Sequence, residues 1–94
     1  MEVLHEDDGK KGRFYIMEDG QECGEISYVW TGEDKLIIDH TVVDPRLKGQ
    51  NVGYKLVTAV VNMAREKNVK VIPLCPFAKA VMTKKEELQD VLPG

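Results

Sequence analysis

Between residues 35 and 74, the spacing of apolar residues changes from that of a strand to that of a helix and back again. Lys35–Val43 contains three consecutive apolar residues and is typical of a central strand. The next stretch has an apolar stripe at helical spacing, formed by Val52, Leu56, Val57, Val60, Met63 and Ala64. Val69–Leu74 is again strand-like. A strand, a helix and a strand in this order form a right-handed crossover, so the two strands are predicted to lie parallel.

The first third of the chain predicts an antiparallel hairpin. Arg13–Met17 and Gln21–Trp30 are strand-like, and the Asp19-Gly20 pair between them is typical of a tight hairpin turn. A second helix is predicted over Pro76–Lys85, because proline is suited to the first helical position. The predicted order is β-β-β-α-β-α. This is an α+β fold in a single domain, residues 1–94, with an antiparallel sheet that turns parallel at the fourth strand.

Simple alternation along the central strand predicts which of its side chains share a face. One face is expected to carry Leu36, Ile38, His40 and Val42, and the other Ile37, Asp39, Thr41 and Val43. His40 is therefore expected among apolar neighbours.

Composition and charge exclude several classes of function. No apolar run reaches the roughly 20 residues of a membrane span. The acidic start, Met1–Asp8, lacks the apolar core of a signal peptide, so a cytoplasmic protein is expected. The net charge of −3 argues against a nucleic-acid partner. Residues 1–34 hold ten acidic and three basic residues, whereas residues 35–94 hold six acidic and ten basic. This asymmetry favours an anionic ligand for the second part, although a dipolar surface without any ligand would look the same.

Val42–Val57 carries the most chemical information. It reads as the end of a strand, a turn containing Gly49, and the start of an amphipathic helix. Unpaired amide groups and the positive end of the helix dipole meet at such a turn, which predicts a phosphate or pyrophosphate site. No Gly-Lys-Ser/Thr follows, so it is not a P-loop. The alternative is a turn that needs glycine for its geometry alone.

Lys48, Asn51 and Gly53 stand at the three defined positions of an Arg/Gln-x-x-Gly-x-Gly/Ala motif. With this motif the chain resembles the GNAT superfamily of acetyl-CoA-dependent N-acetyltransferases. Lysine replaces the arginine, and asparagine, which tolerates a left-handed backbone, replaces the first glycine. Ile38–Val43 and Val71–Lys79, with their His-Thr and Cys-Pro-Phe-Ala sequences, are similar to very small bacterial members of that superfamily.

The resemblance implies a minimal GNAT-like fold that binds acetyl-CoA as co-substrate and no metal. The pyrophosphate would lie on the loop that precedes the helix, and the pantetheine arm would pair like a strand with the end of the central strand. The implied cofactor-binding residues are Val42, Val43, Lys48, Gly49, Gln50, Asn51, Val52, Gly53 and Tyr54. The basic side chains of Lys48, Lys55, Lys79, Lys84 and Lys85 can offset the phosphate charges.

Two side chains are candidates for the chemistry. Pro76 makes Cys75 the predicted N-cap of the second helix, where the helix dipole favours a thiolate. The alternative for Cys75 is a small buried apolar residue. In the resemblance His40 lies near the reactive end of the cofactor and serves as general base. The alternative for His40 is a core histidine with a single hydrogen bond. Cys23 is expected to be a free thiol, as is Cys75.

The predicted function is transfer of acetyl from acetyl-CoA to an amine, either a small molecule or a protein lysine. The acetyl group would pass through Cys75 or go directly to the amine. The alternative is a non-catalytic module that binds coenzyme A or acyl-CoA, because the chain lacks segments with which larger relatives hold an acceptor. A third interpretation is an interaction domain whose loop binds nothing.

Overall fold

The computed structural model describes residues 2–47 and 49–93 as one mixed sheet and two helices on a common core. The elements are β1 (Glu2–Asp7), β2 (Lys11–Glu18), β3 (Gln21–Trp30), β4 (Lys35–Val43), α1 (Val52–Lys67), β5 (Lys70–Pro73) and α2 (Pro76–Lys84), with 3₁₀ turns at Pro45–Leu47 and Glu86–Val91. The strands are ordered β1-β2-β3-β4-β5. All neighbours pair antiparallel except β4 and β5, which pair parallel. The predicted fold class is confirmed, with one strand more than expected. Among the described helices, none is long and apolar enough to cross a membrane.

The additional strand, β1, is acidic and lacks an apolar alternation, so the sequence did not predict it. Its side chains are held by aromatic groups of the neighbouring strands. The His5 ring stacks on Phe14 with ring centroids 4.0 Å apart. The Asp7 carboxylate accepts hydrogen bonds from the Tyr28 hydroxyl (2.6 Å) and the Trp30 indole (2.9 Å). Tertiary contacts of polar groups therefore fix this strand.

The hairpin turn between β2 and β3 forms as predicted. Asp19 and Gly20 both have positive φ, at 51° and 78°. This backbone is that of a type I′ turn, which Asp-Gly adopts at low cost because glycine has no side chain to clash.

α1 covers one face of the sheet, and none of the described helices lies on the other face. The core joins the apolar stripe of α1 to one side of β2, β3, β4 and β5; its fully buried side chains include Ile16, Ile26, Leu36, Ile38, Leu56, Val57 and Val60. All six residues of the predicted helical stripe are buried. The opposite side, here called the open face, carries half-buried or exposed side chains such as Arg13, Tyr15, Ser27, Val29 and Ile37.

A bulge in β4 overturns the expectation about His40 and Val42. Ile38 pairs with Tyr28 and His40 pairs with Ser27, so Asp39 is an extra residue in β4. The Ser27 hydroxyl donates a 2.6 Å hydrogen bond to the Asp39 carboxylate at this point. Beyond the bulge the faces exchange. His40 and Val42 are exposed on the open face, whereas Thr41 and Val43 turn to the side of α1.

Candidate active site

β4 and β5 separate halfway along β4. Their parallel pairing ends at Ile38 and Pro73. The amides of Leu74 and Cys75 both donate to the Ile38 carbonyl, each at 3.1 Å, and the chain then enters α2. Because two successive amides donate to one carbonyl, the chain turns out of the ladder at this point and the pairing stops. Along Asp39–Val43, the edge of β4 that faces β5 is left without a strand partner among the described residues.

The loop after β4 is built around Asp44 and leads into α1. The Asp44 carboxylate accepts hydrogen bonds from the Arg46 guanidinium at 2.8 and 3.1 Å. Together with a bond from the Arg46 amide, these hydrogen bonds hold the pKa of Asp44 below its usual range. Asn51, the N-cap of α1, has a left-handed backbone with φ of 57°. Asparagine therefore adopts the conformation expected at this position of the motif.

A cleft of about 540 Å³ lies between this loop, the N-terminus of α1 and one side of α2. Its walls are formed by Val43, Asp44, Pro45, Leu47, Gly49, Asn51, Val52, Gly53, Tyr54, Phe77, Val81, Lys84 and Lys85. Six of the predicted cofactor-binding residues belong to it: Val43, Gly49, Asn51, Val52, Gly53 and Tyr54. Val42 lies on the open face instead, and Gln50 is exposed in the turn outside this wall. Lys48 lies outside the described residues.

The wall contributed by α2 was missed by sequence reasoning as part of the site. Phe77, Val81, Lys84 and Lys85 follow one another at helical spacing, so they form one face of α2. The lysines were expected only to offset phosphate charge. The helical spacing of these residues could have indicated that they share one face of α2. It does not indicate which other element that face lies against.

Gly53 is in direct contact with Phe77. A Cβ atom at Gly53 would lie 2.1 Å from the tip of the Phe77 ring, well inside van der Waals contact. The ring itself is 45% exposed and borders the cleft. Glycine at this position thus lets the Phe77 ring lie against α1, and a larger residue would displace the ring.

Cys75 is the N-cap of α2, as predicted, and is only 8% exposed. Its thiol lies 3.4 Å from the Thr41 hydroxyl. The neutral thiol makes no hydrogen bond to the helix cap, whereas a thiolate there would accept from the amides of Phe77 and Ala78. Burial raises the pKa of Cys75, but hydrogen bonds from the Thr41 hydroxyl and these amides outweigh it and bring the pKa below its usual value.

The bulge in β4 separates the two predicted catalytic residues. Thr41, which the sequence did not single out, faces the Cys75 thiol, and His40 lies on the opposite side of the sheet. Cys23 and Cys75 are both free thiols, as expected. Within residues 2–47 and 49–93, no three His, Cys, Asp or Glu side chains are arranged to hold a metal ion.

The chain is similar to proteins of one family. The family model described as GCN5-related N-acetyl-transferase matches residues 13–91. A GCN5-like protein from Staphylococcus aureus, solved by NMR, is 39% identical over 99% of this chain and 88% of its own, with a TM-score of 0.79.

Two more distant structures share the fold. The ribosomal-protein-alanine N-acetyltransferase from Brucella melitensis is 16% identical over 82% of this chain and 62% of its own, with a TM-score of 0.67. The acetyltransferase AAC(6')-Iy, in complex with a bisubstrate analogue of coenzyme A, is 16% identical over 85% and 61%, with a TM-score of 0.59. No curated protein sequence matches the chain.

Proposed function

The chain belongs to the GCN5-related N-acetyltransferase family, and from this we propose that it is a cytoplasmic enzyme that transfers the acetyl group of acetyl-CoA to an amine. One observation carries the proposal. The cleft is bordered by Val43, in the part of β4 that has no partner strand, and by Phe77, two residues after Cys75, which is the N-cap of α2. A long anionic thioester could bind here with its phosphates at the N-terminus of α1 and its reactive carbon near Cys75.

The described residues fit coenzyme A. We expect its pyrophosphate at the N-terminus of α1, where the amides of Val52 and Gly53 begin the helix and the dipole is positive. The pantetheine arm is expected to pair with the unpartnered edge of β4 beside Val43, because this edge offers backbone donors and acceptors. Of the other predicted residues, Lys48 and Gln50 remain expectations, while Val42 would contribute its backbone alone.

The acetyl group has two routes to the acceptor. In the covalent route the Cys75 thiolate attacks the thioester carbonyl; a bond from carbon to Cys75 sulfur forms, the bond to the coenzyme A sulfur breaks, and coenzyme A leaves as a thiolate that takes a proton from water. A neutral amine then attacks acetyl-Cys75, which forms the amide and restores the thiolate. In the direct route the amine attacks acetyl-CoA itself, and Cys75 only lines the thioester pocket.

We assign His40 to the acceptor. Its exposed position on the open face, one residue from Thr41, places it on the other side of the sheet from the cleft. An amine that approaches the separation between β4 and β5 from the open face passes His40, which accepts the proton that the amine loses. Small amines and protein lysines both reach an open face of this kind.

Binding and transfer can be tested separately. Calorimetry with coenzyme A is expected to show binding at a single site, and release of thiol from acetyl-CoA is expected with members of a panel of amines and lysine peptides. Failure of coenzyme A to bind would overturn the proposal. Binding without thiol release for any amine would make the chain a coenzyme A-binding module instead.

The route is decided by intact-mass spectrometry after mixing with acetyl-CoA. The covalent route predicts one added acetyl group that is lost in Cys75→Ala and retained in the matched variant Cys23→Ala. An unlabelled wild type, together with unchanged turnover of Cys75→Ala, would establish the direct route.

A further inference from the structure

Two adjacent lysines border the end of the cleft that lies farthest along α2 from Cys75. Lys84 is in the last turn of α2 and Lys85 is its C-cap. Tyr54, half-buried near the start of α1, lies beside them, and the Lys85 ammonium is 5.3 Å from the centre of the Tyr54 ring. This end of the cleft therefore combines a flat aromatic ring with two positive charges.

The acidic groups nearby have partners of their own. Asp44, on the opposite wall, is paired with Arg46. Glu87 accepts a 2.9 Å hydrogen bond from the Tyr54 hydroxyl, which also fixes the orientation of the ring. Among the carboxylates that the structure describes, none forms a salt bridge with Lys84 or Lys85. The charge of Lys84 is therefore available to an anion in the cleft, and that of Lys85 is partly offset by Glu87, whose pKa it helps to lower.

The length of α2 sets the distance between the two ends. The helix has nine residues and is about 13 Å long. Its cleft face runs from Phe77, next to Cys75, through Val81 to Lys84 and Lys85. A ligand whose thioester lies at Cys75 must therefore extend past an apolar middle before it reaches the lysines. The group it presents there is expected to be aromatic and strongly anionic.

We propose that Lys84 and Lys85 bind the 3′-phosphate of coenzyme A, with the adenine against Tyr54, so that the site selects coenzyme A over 3′-dephospho-coenzyme A. The inference rests on the proposed function and deepens it. A phosphate monoester carries nearly two negative charges at neutral pH, which two neighbouring ammonium groups match. Removal of this phosphate leaves the pyrophosphate and the pantetheine arm unchanged.

The test compares the two nucleotides by calorimetry on the whole chain. Wild type is expected to bind coenzyme A about tenfold more tightly than 3′-dephospho-coenzyme A, the size of effect that charge-assisted phosphate contacts give. In the variant Lys84→Ala/Lys85→Ala this preference is expected to vanish, because coenzyme A loses affinity while 3′-dephospho-coenzyme A does not. The matched control Lys10→Ala/Lys11→Ala removes two adjacent charges at the β1–β2 turn, at the other end of the sheet from the cleft, and is expected to keep the preference.

Three other results would contradict the proposal. Equal affinity of wild type for both nucleotides, or an equal loss for both in the lysine variant, overturns the assignment of the 3′-phosphate. In either case coenzyme A still binds and the proposed function stands. If neither nucleotide binds the wild type, the proposed function fails and this inference fails with it.

Discussion

Thr41 owes its position opposite Cys75 to one extra residue in β4. Without the bulge at Asp39, the side chain facing the thiol would be the imidazole of His40. With the bulge, the neighbour of the sulfur is a neutral hydroxyl 3.4 Å away. The site thus stabilises a thiolate by hydrogen bonds from this hydroxyl and from the amides at the start of α2.

Thr41→Val is expected to raise the pKa of Cys75, because it removes the hydroxyl that donates to the thiolate while keeping the shape of the side chain. Alkylation by iodoacetamide, followed as a function of pH by mass spectrometry, measures the change. At neutral pH the rate at Cys75 is expected to fall several-fold. Thr41→Ser, which keeps the hydroxyl, should restore the wild-type profile, and Cys23 serves as the internal control. Identical profiles for Thr41→Val and wild type would contradict this role.

Gly53→Ala is expected to destabilise the fold by about 1 kcal/mol, the low end of the usual cost of overpacking, because the new methyl group would displace the half-exposed Phe77 ring. Phe77→Ala in the same chain removes the obstacle. The double variant is therefore expected to lose much less stability than the two single variants together, as measured by urea unfolding. Additive losses would show that the contact between Gly53 and Phe77 is not the reason for glycine.

At the scale of the elements, polar side chains fix β1 to the sheet. Burial raises the pKa of Asp7, but hydrogen bonds from Tyr28, the Gly9 amide and Trp30 outweigh it, so that the pKa lies below its usual value in the folded chain. The unfolded chain consequently binds a proton at Asp7 at higher pH than the folded chain does. This contribution to stability is present above the unfolded pKa and is lost as the pH falls through the folded pKa.

Asp7→Asn is expected to flatten this acid dependence. The free energy of unfolding of wild type should decrease more steeply than that of the variant between about pH 5 and pH 2, the range over which a depressed aspartate titrates. Urea unfolding at a series of pH values measures both curves. Asp19→Asn, in the exposed hairpin turn, is a matched control that should keep the wild-type slope. Parallel curves for Asp7→Asn and wild type would show that this carboxylate does not hold β1.

Local pattern predicted those elements whose apolar spacing is regular. The apolar stripe of α1, the β2–β3 hairpin and the start of α2 at Pro76 all follow from short-range rules, and the structure contains each of them. β1 and the bulge at Asp39 could not be read in the same way. β1 depends on hydrogen bonds that Asp7 accepts from Tyr28 and Trp30 of β3. The bulge depends on the hydrogen bond that Asp39 accepts from Ser27 of β3.

In the candidate site, too, local features were predictable and features set by tertiary packing were not. The loop from Gly49 to Tyr54 was predictable, because a strand, a glycine turn and a helix start are local features. The α2 wall and the pairing of Thr41 with Cys75 were not, since they depend on how α2 packs against α1 and on the face that β4 presents after its bulge.

At the scale of the whole molecule, the charge is unevenly divided between the two parts of the chain. Residues 35–94, which form the cleft, carry the excess of basic residues, and residues 1–34 carry the excess of acidic ones. Strands β1 to β3, which belong to the acidic part of the chain, lie on one side of β4, and β5 lies on the other. An anionic ligand is therefore attracted to one side of the molecule and repelled from the other.

The affinity for coenzyme A is expected to fall as salt is added. Between about 50 and 500 mM KCl the Debye length drops roughly threefold, so the attraction between the phosphates and the basic side chains is screened. Calorimetry at three salt concentrations measures the loss. Pantetheine, which has no phosphate, is the control ligand and should show little dependence. An affinity for coenzyme A that does not change with salt would mean that the basic excess contributes nothing to binding.

The two borders of the sheet also limit what the molecule can assemble into. At one border, β5 has only four residues, and Pro73 offers no amide hydrogen there. At the other border, β1 ends in Glu6 and Asp7, whose charges would repel the same strand of a second copy. Strand-by-strand growth of one sheet into a fibril needs a row of free donors and acceptors without such repulsion. Both borders therefore protect the folded chain against aggregation by edge pairing.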